Sequence, residues 1–148
     1  MRIIVDTNIA FSAILNTNSK IGKIILHPKS KCNFYSTNNL KIELEKHKNK
    51  LKRISGYNDK EFQEVYTLIT SQIRFIDIAL VPITIYKRAL LLTETIDIDD
   101  TEFVALAEHS KARLWTGDKN LMHGLQKVGW NKLVSTNELY DLITKKNR

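Results

Sequence analysis

Four carboxylates in this chain stand where an acid needs an explanation. Asp6 closes the apolar run Ile3-Ile4-Val5, and Asp118 follows Leu114-Trp115-Thr116-Gly117. Asp100 precedes Phe103, Val104 and Ala107 at spacings of three, four and seven, which puts it on the buried face of a helix at its first turn. Glu43 lies three residues beyond Leu40 on the stripe Leu40, Leu44, Leu51, Ile54, so its carboxylate turns toward the covered side. Carboxylates gathered within a few ångströms cannot all ionise unless something positive sits among them. Oxygen ligands without His or Cys select Mg²⁺ or Mn²⁺ rather than zinc.

Each acid also has a local explanation. An N-cap role accounts for Asp6 or Asp118, since each ends a strand and begins a helix. The helix dipole tolerates the charge of Asp100. Within the acid-rich segment 94–102, Asp99 and Glu102 have the spacing of a variant capping box, and Asp97 reads as solvated. Glu45 keeps company with Lys41 and Lys48, as half of a surface ion pair. Its local context is close to that of Glu43, which makes it the alternative second acid. His27 and His47 read as helix-edge residues, His109 and His123 show no ligand spacing, and Cys32 reads as a small core residue.

Hydrophobic period and turn signals locate the elements that must position these acids. Short strands are expected at 2–5, 33–36, 74–78, 112–116 and near Leu133. Helices are expected over 19–26, 37–54, 58–71, 82–92, 100–110, 118–128 and 135–145. Such alternation implies a parallel sheet covered on both faces, with its crevice outside the carboxyl ends of the strands. A content of 43% hydrophobic and 26% charged residues is that of an ordinary globular protein, expected as one domain over 1–148. The single Cys32 excludes a disulfide scaffold, no apolar run approaches the ~20 residues of a membrane helix, and Met1-Arg2 begins no signal-peptide pattern. The expected compartment is the cytoplasm. Twenty-three Lys and Arg against 16 Asp and Glu, a net +7, favour a polyanionic partner.

Four segments in order carry a resemblance: Val5-Asp6-Thr7-Asn8, Glu43-Leu44-Glu45-Lys46-His47, Asp100-Thr101-Glu102-Phe103-Val104-Ala105-Leu106-Ala107, and Leu114-Trp115-Thr116-Gly117-Asp118-Lys119. Together they resemble the PIN domain, the metal-dependent nuclease fold of toxin–antitoxin ribonucleases and RNA-processing enzymes. The resemblance implies a three-layer α/β/α sandwich with a central parallel sheet of four to five strands. It implies that Asp6, Glu43, Asp100 and Asp118 are the four catalytic acids and metal ligands. Asn8 resembles the supporting polar residue beside the first acid, and Thr116 a hydroxyl that supports the metal's water shell. One or two Mg²⁺ or Mn²⁺ ions and hydrolysis of RNA by metal-activated water, leaving a 5′-phosphate and a 3′-hydroxyl, follow from the resemblance. So do a homodimer and a cognate antitoxin covering the acidic pocket, as in toxin-type members. The stretch 56–92 is similar to a bacterial subgroup of uncharacterised toxins.

Phosphate contacts should come from bases. Residues 41–53 hold six bases against two acids, and Lys46, Lys48, Lys50, Lys52 and Arg53 are the candidate RNA contacts. The plainer reading is a solvated lysine face, and the tail Lys145, Lys146, Arg148 reads as solvated too. Two other functions compete with a nuclease. One is a catalytically inactive PIN-like module that binds RNA or protein. The other is a phosphotransfer domain of the receiver or haloacid-phosphatase kind with Asp6 as nucleophile, which is disfavoured by Asn8 where the haloacid type wants a second Asp.

Overall fold

A computed structural model of the protein describes residues 1–28 and 30–145. Strand β1 (Arg2–Val5) carries Ile3, Ile4 and Val5, none with any exposed surface. A strand that is apolar on both sides belongs in the middle of a parallel sheet covered on both faces. The sheet has the order β3-β2-β1-β4-β5, with β2 (Asn33–Thr37), β3 (Ile73–Ile76), β4 (Arg113–Trp115) and β5 (Leu133–Val134), every pair parallel. Ile3 pairs with Phe34 on one side and Arg113 on the other, and Val5 pairs with Trp115. Phe34 and Trp115 therefore share a face and meet across β1, with ring centroids 5.9 Å apart.

Helices cover both faces and complete an α/β/α sandwich. From β1 the chain runs through α1 (Thr7–Leu15) and α2 (Lys20–Leu26) to β2, then through α3 (Asn38–Lys46), α4 (Lys48–Ser55) and α5 (Asp59–Thr70) to β3. It then crosses to the other side of β1 by way of α6 (Ile83–Thr93) and α7 (Thr101–Ser110), enters β4, and ends with α8 (Lys119–Lys127), β5 and α9 (Thr136–Lys145). Strand order thus reverses at β1, and the crevice of such a sheet opens at the carboxyl ends of the strands on either side of the reversal, here β1 and β4. Helix α7 lies against β1, β2 and β4 and leads directly into β4. Its N-terminus consequently stands at the carboxyl edge of the sheet.

Most expected elements appear within a residue or two, and two differ in ways that matter. The single helix expected over 37–54 is two helices, divided at His47, whose φ of −99° and ψ of 15° close α3 and open α4. Both helices touch α1, but α3 also packs on β2 and β3, so the two take different courses across the fold. Leu40, Leu44 and Leu51 stay buried across the break, but Ile54 leaves the stripe and is 58% exposed. The helix expected from Asp100 begins instead at Thr101, after a 3-10 turn over Ile98–Asp100. Cys32 is only partly buried against the core, and among the described residues no helix is long and apolar enough to cross a membrane. Lys146 and Arg148 lie outside the described residues.

The turn joining α1 to α2 is tight. Ser19 Oγ donates to Asn16 O at 2.7 Å and accepts from Gly22 N–H at 3.2 Å, so the start of α2 is folded back on the end of α1. A Cβ on Gly22 would collide with the Thr17 backbone. Gly22→Ala is expected to destabilise the protein by ~1–3 kcal/mol, as other forced overpacking does. In thermal denaturation that is a fall of several degrees, and an unchanged Tm would show that the turn can relax.

Candidate metal centre

Asp6 is the first residue after β1 and is 3% exposed. Its Oδ1 accepts from Ile9 N–H at 2.9 Å, so it is the N-cap of α1. Thr116, itself buried, donates its hydroxyl to the Asp6 carboxylate and accepts from Asp118 N–H at 3.1 Å. This one hydroxyl ties the loop after β1 to the loop after β4. Asp118 caps α8, its Oδ1 accepting from Asn120 N–H at 3.0 Å and Leu121 N–H at 3.1 Å. Burial holds the Asp6 carboxyl above its ordinary range, and the charge of Asp118 pushes the same way, against the donors Thr116, Ile9 and Asn8. Asn8 is exposed in the first turn of α1 and reaches Asp6 through its backbone N–H.

Asp100 occupies the N-cap position of α7 yet makes no side-chain cap bond. Its carboxylate faces other carboxylates instead. Oxygens of Asp97, Asp100 and Asp118 all lie within 4.8 Å of one another. Burial, then the charges of Asp97, Asp6 and Asp118 and a hydrogen bond with Asp97, push the Asp100 carboxyl up to about 7. Among the described residues no Lys, Arg or His pairs with any of these four acids.

Asp97 is the group's unexpected member, having read as solvated. It caps the 3-10 turn through Asp99 N–H at 3.0 Å. From that cap position its side chain reaches the Asp100 carboxyl, with which it shares a hydrogen bond. The spacing Asp97-Ile98-Asp99-Asp100 is the signal that identifies it, once a 3-10 turn rather than a helix is recognised there. The preceding Ile96 lies against α8 where Gly124 has no side chain, with Cδ1 2.6 Å from where a Cβ would stand. Segment 96–97 is thereby kept close to the helix that Asp118 caps.

The glutamates divide differently. Glu43 is outside the three-carboxylate group, and its Oε2 pairs with His47 Nε2 at 3.2 Å, one helical turn away and with the Glu43 side chain 44% exposed. The His47 ring in turn packs edge-on against Phe11 of α1, centroids 5.8 Å apart. Glu45 is committed elsewhere: it accepts the Tyr66 hydroxyl at 2.6 Å and pairs with Lys48 at 3.3 Å. Tyr66 and Lys48 together hold its carboxyl below the ordinary range. The capping box expected of Asp99 and Glu102 does not form, because Glu102 turns away to Thr37 and Asn39.

The donor set suits a small divalent cation. All the ligand atoms are carboxylate oxygens, and neighbouring ligands around Mg²⁺, each at about 2.0–2.1 Å, stand roughly 3 Å apart, a modest contraction from the spacing found here. Without a cation the crowding destabilises the fold in a pH-dependent way. The Asp100 carboxyl titrates near 7 when folded and at its ordinary 3.8 when unfolded. Between those values only the folded form holds the proton, so stability falls as pH rises from about 4 to about 7 and is level above. Asp100→Asn is expected to raise the metal-free Tm at pH 8 by a few degrees, an effect of ~1–2 kcal/mol after discounting for solvent screening. The two proteins should converge near pH 4. A Tm gain equal at both pH values would trace the effect to packing.

A sequence model of the PIN domain matches residues 4–140, and a comparison with curated proteins finds no match. PIN domains are generally nucleases, usually bind divalent metals, and often act on RNA and in toxin–antitoxin pairs. With a parallel five-stranded sheet, a carboxylate group at its carboxyl edge and a family match over nearly its whole length, this chain belongs to the PIN domain family.

Proposed function

We propose that the protein is a Mg²⁺- or Mn²⁺-dependent endoribonuclease, hydrolysing RNA phosphodiesters, and the toxin of a toxin–antitoxin pair. One observation carries this function: three carboxylates within 4.8 Å of one another, beside buried Asp6, with no base paired to them among the described residues. A divalent cation bound there supplies Lewis acidity, lowering the pKa of water and offsetting charge on the phosphate. Asp100, Asp118 and Asp6 hold it, Asp97 lies within the same reach, and Glu43 serves as the second acid from α3. Asp6 and Asp118 are fixed in advance by the amides of their own helices, so little reorganisation accompanies binding.

Phosphates are met by the bases of α3 and α4. Lys48 and Lys52 are held by Glu45 and Asp59, with their ammonium groups over the Tyr66 and Phe62 rings, whereas among the described residues Lys46, Lys50 and Arg53 carry no ion pair. Those three are the stronger candidates for RNA contact. Replacing all three by Ala should weaken RNA binding and reduce the dependence of log affinity on log salt by about one per lost phosphate contact. Lys48→Ala should change the slope little, and a slope unaffected by the triple variant would move the RNA to another face.

Catalysis is tested by RNA decay in Mn²⁺. The wild type should cleave and EDTA should abolish cleavage, while Asp6→Asn and Asp118→Asn should slow it at least ~100-fold, the range for loss of a group on which metal chemistry depends. Equal decay by all three proteins would remove catalysis from this site. Tight RNA binding without decay in the wild type would favour the inactive binding module.

A further inference from the structure

Glu102 sits in the first turn of α7, two residues past Asp100, and its carboxylate is spent on another element. Oε1 accepts the Thr37 hydroxyl at 2.7 Å, and Oε2 accepts the Asn39 side-chain amide at 2.8 Å. Among the described residues it has no ion pair. A carboxylate only accepts, so the single hydroxyl proton of Thr37 is committed to Glu102. The Thr37 oxygen is left to accept from Leu40 N–H, 3.2 Å away, which is the N-cap bond of α3. Thr37 has no exposed surface, so water offers no other arrangement. The cap of α3 is thus oriented from α7.

The same contact gauges the crevice. Asn39 and Glu43 are four apart on α3 and lie one above the other on one face. Glu102 and Asp100 are two apart at the start of α7. We infer that Glu102 is a positioning residue: by clamping the first turn of α3 to the start of α7, it sets where Glu43 stands relative to Asp100 for a shared divalent cation. This rests on the metal-dependent function proposed above.

The test is Mn²⁺ affinity of the full chain by calorimetry, without RNA. Glu102→Ala should weaken Mn²⁺ about tenfold, as loss of a residue that orients ligands does. Glu102→Gln keeps an acceptor for Thr37, and Asn39 can turn its amide to match, so it should stay within about threefold of wild type. In a Glu43→Gln background, Glu102→Ala should add nothing, because a residue that acts through another is not additive with it. Three results would overturn the clamp: Glu102→Ala binding like wild type, Gln as weak as Ala, or full additivity with Glu43→Gln. If circular dichroism shows Glu102→Ala unfolded, Asn39→Ala breaks the exposed half of the clamp. It should weaken Mn²⁺ about two- to fourfold in wild type and not in Glu43→Gln, and no change in wild type overturns the inference. A wild type that binds no Mn²⁺ would instead sink the proposed function, and the clamp with it.

Discussion

Like charges crowded at the end of a sheet are the constraint to which the surrounding structure answers. At the spacing of Asp97, Asp100 and Asp118, within 4.8 Å, two ionised carboxylates repel by about 3–4 kcal/mol at an effective dielectric constant near 20. Three such pairs approach the whole net stability of a domain, ~5–15 kcal/mol. The folded chain therefore does not carry all its acids ionised, and Asp100 retains its proton to about pH 7. What remains of the repulsion is borne by parts that cannot yield: a central strand with no exposed surface, the buried Thr116 hydroxyl, and two helices whose first amides are bonded to the acids themselves.

Capping and ligation are not alternatives here. Asp6 and Asp118 each accept from the N–H groups of the helices they begin, which fixes their rotamers. Asp100 has the same position at the head of α7 but makes no such bond. Burial and the neighbouring charges act on the Asp100 carboxyl without a cap bond to oppose them. A group with two anchored carboxylates and one left unanchored is poised to exchange a proton for a cation.

How much of this was legible in the sequence depends on the range of the cause. Strand ends and caps are local, so Asp6, Asp118 and the parallel arrangement of strands could be read from apolar runs and their punctuation, although helix α1 over Thr7–Leu15 was not among the expected helices. Glu43 and Glu45 looked alike from spacing, and only the fold, which brings Tyr66 of α5 to Glu45, separates them. The break at His47 was hidden because Leu40, Leu44 and Leu51 suit one continuous helix; it accompanies the packing of α3, but not α4, on the edge of the sheet as well as on α1. Asp97 and Glu102 depart from their local readings for different reasons: Asp97 meets Asp100 across a 3-10 turn, whereas Glu102 answers to a distant element. A capping box between Asp99 and Glu102 satisfies local rules, but the bonds that win are to Thr37 and Asn39, more than sixty residues away.

Net charge also acquires a geography. The bases of 46–53 follow Glu43 in the chain, and the break at His47 docks their helix on α1, the helix that Asp6 begins. Among the described residues none of these bases pairs with Asp6, Asp97, Asp100 or Asp118. That separation matters: a lysine reaching Asp100 or Asp118 would relieve the repulsion that favours a cation and would compete with it. Lys48 and Lys52 are restrained by carboxylates and aromatic rings of their own. Salt screens exposed charges over ~8–10 Å, so exposed bases that stay out of the crevice are free to attract an approaching polyanion. Attraction for phosphate and affinity for a cation can then coexist in one small, basic protein.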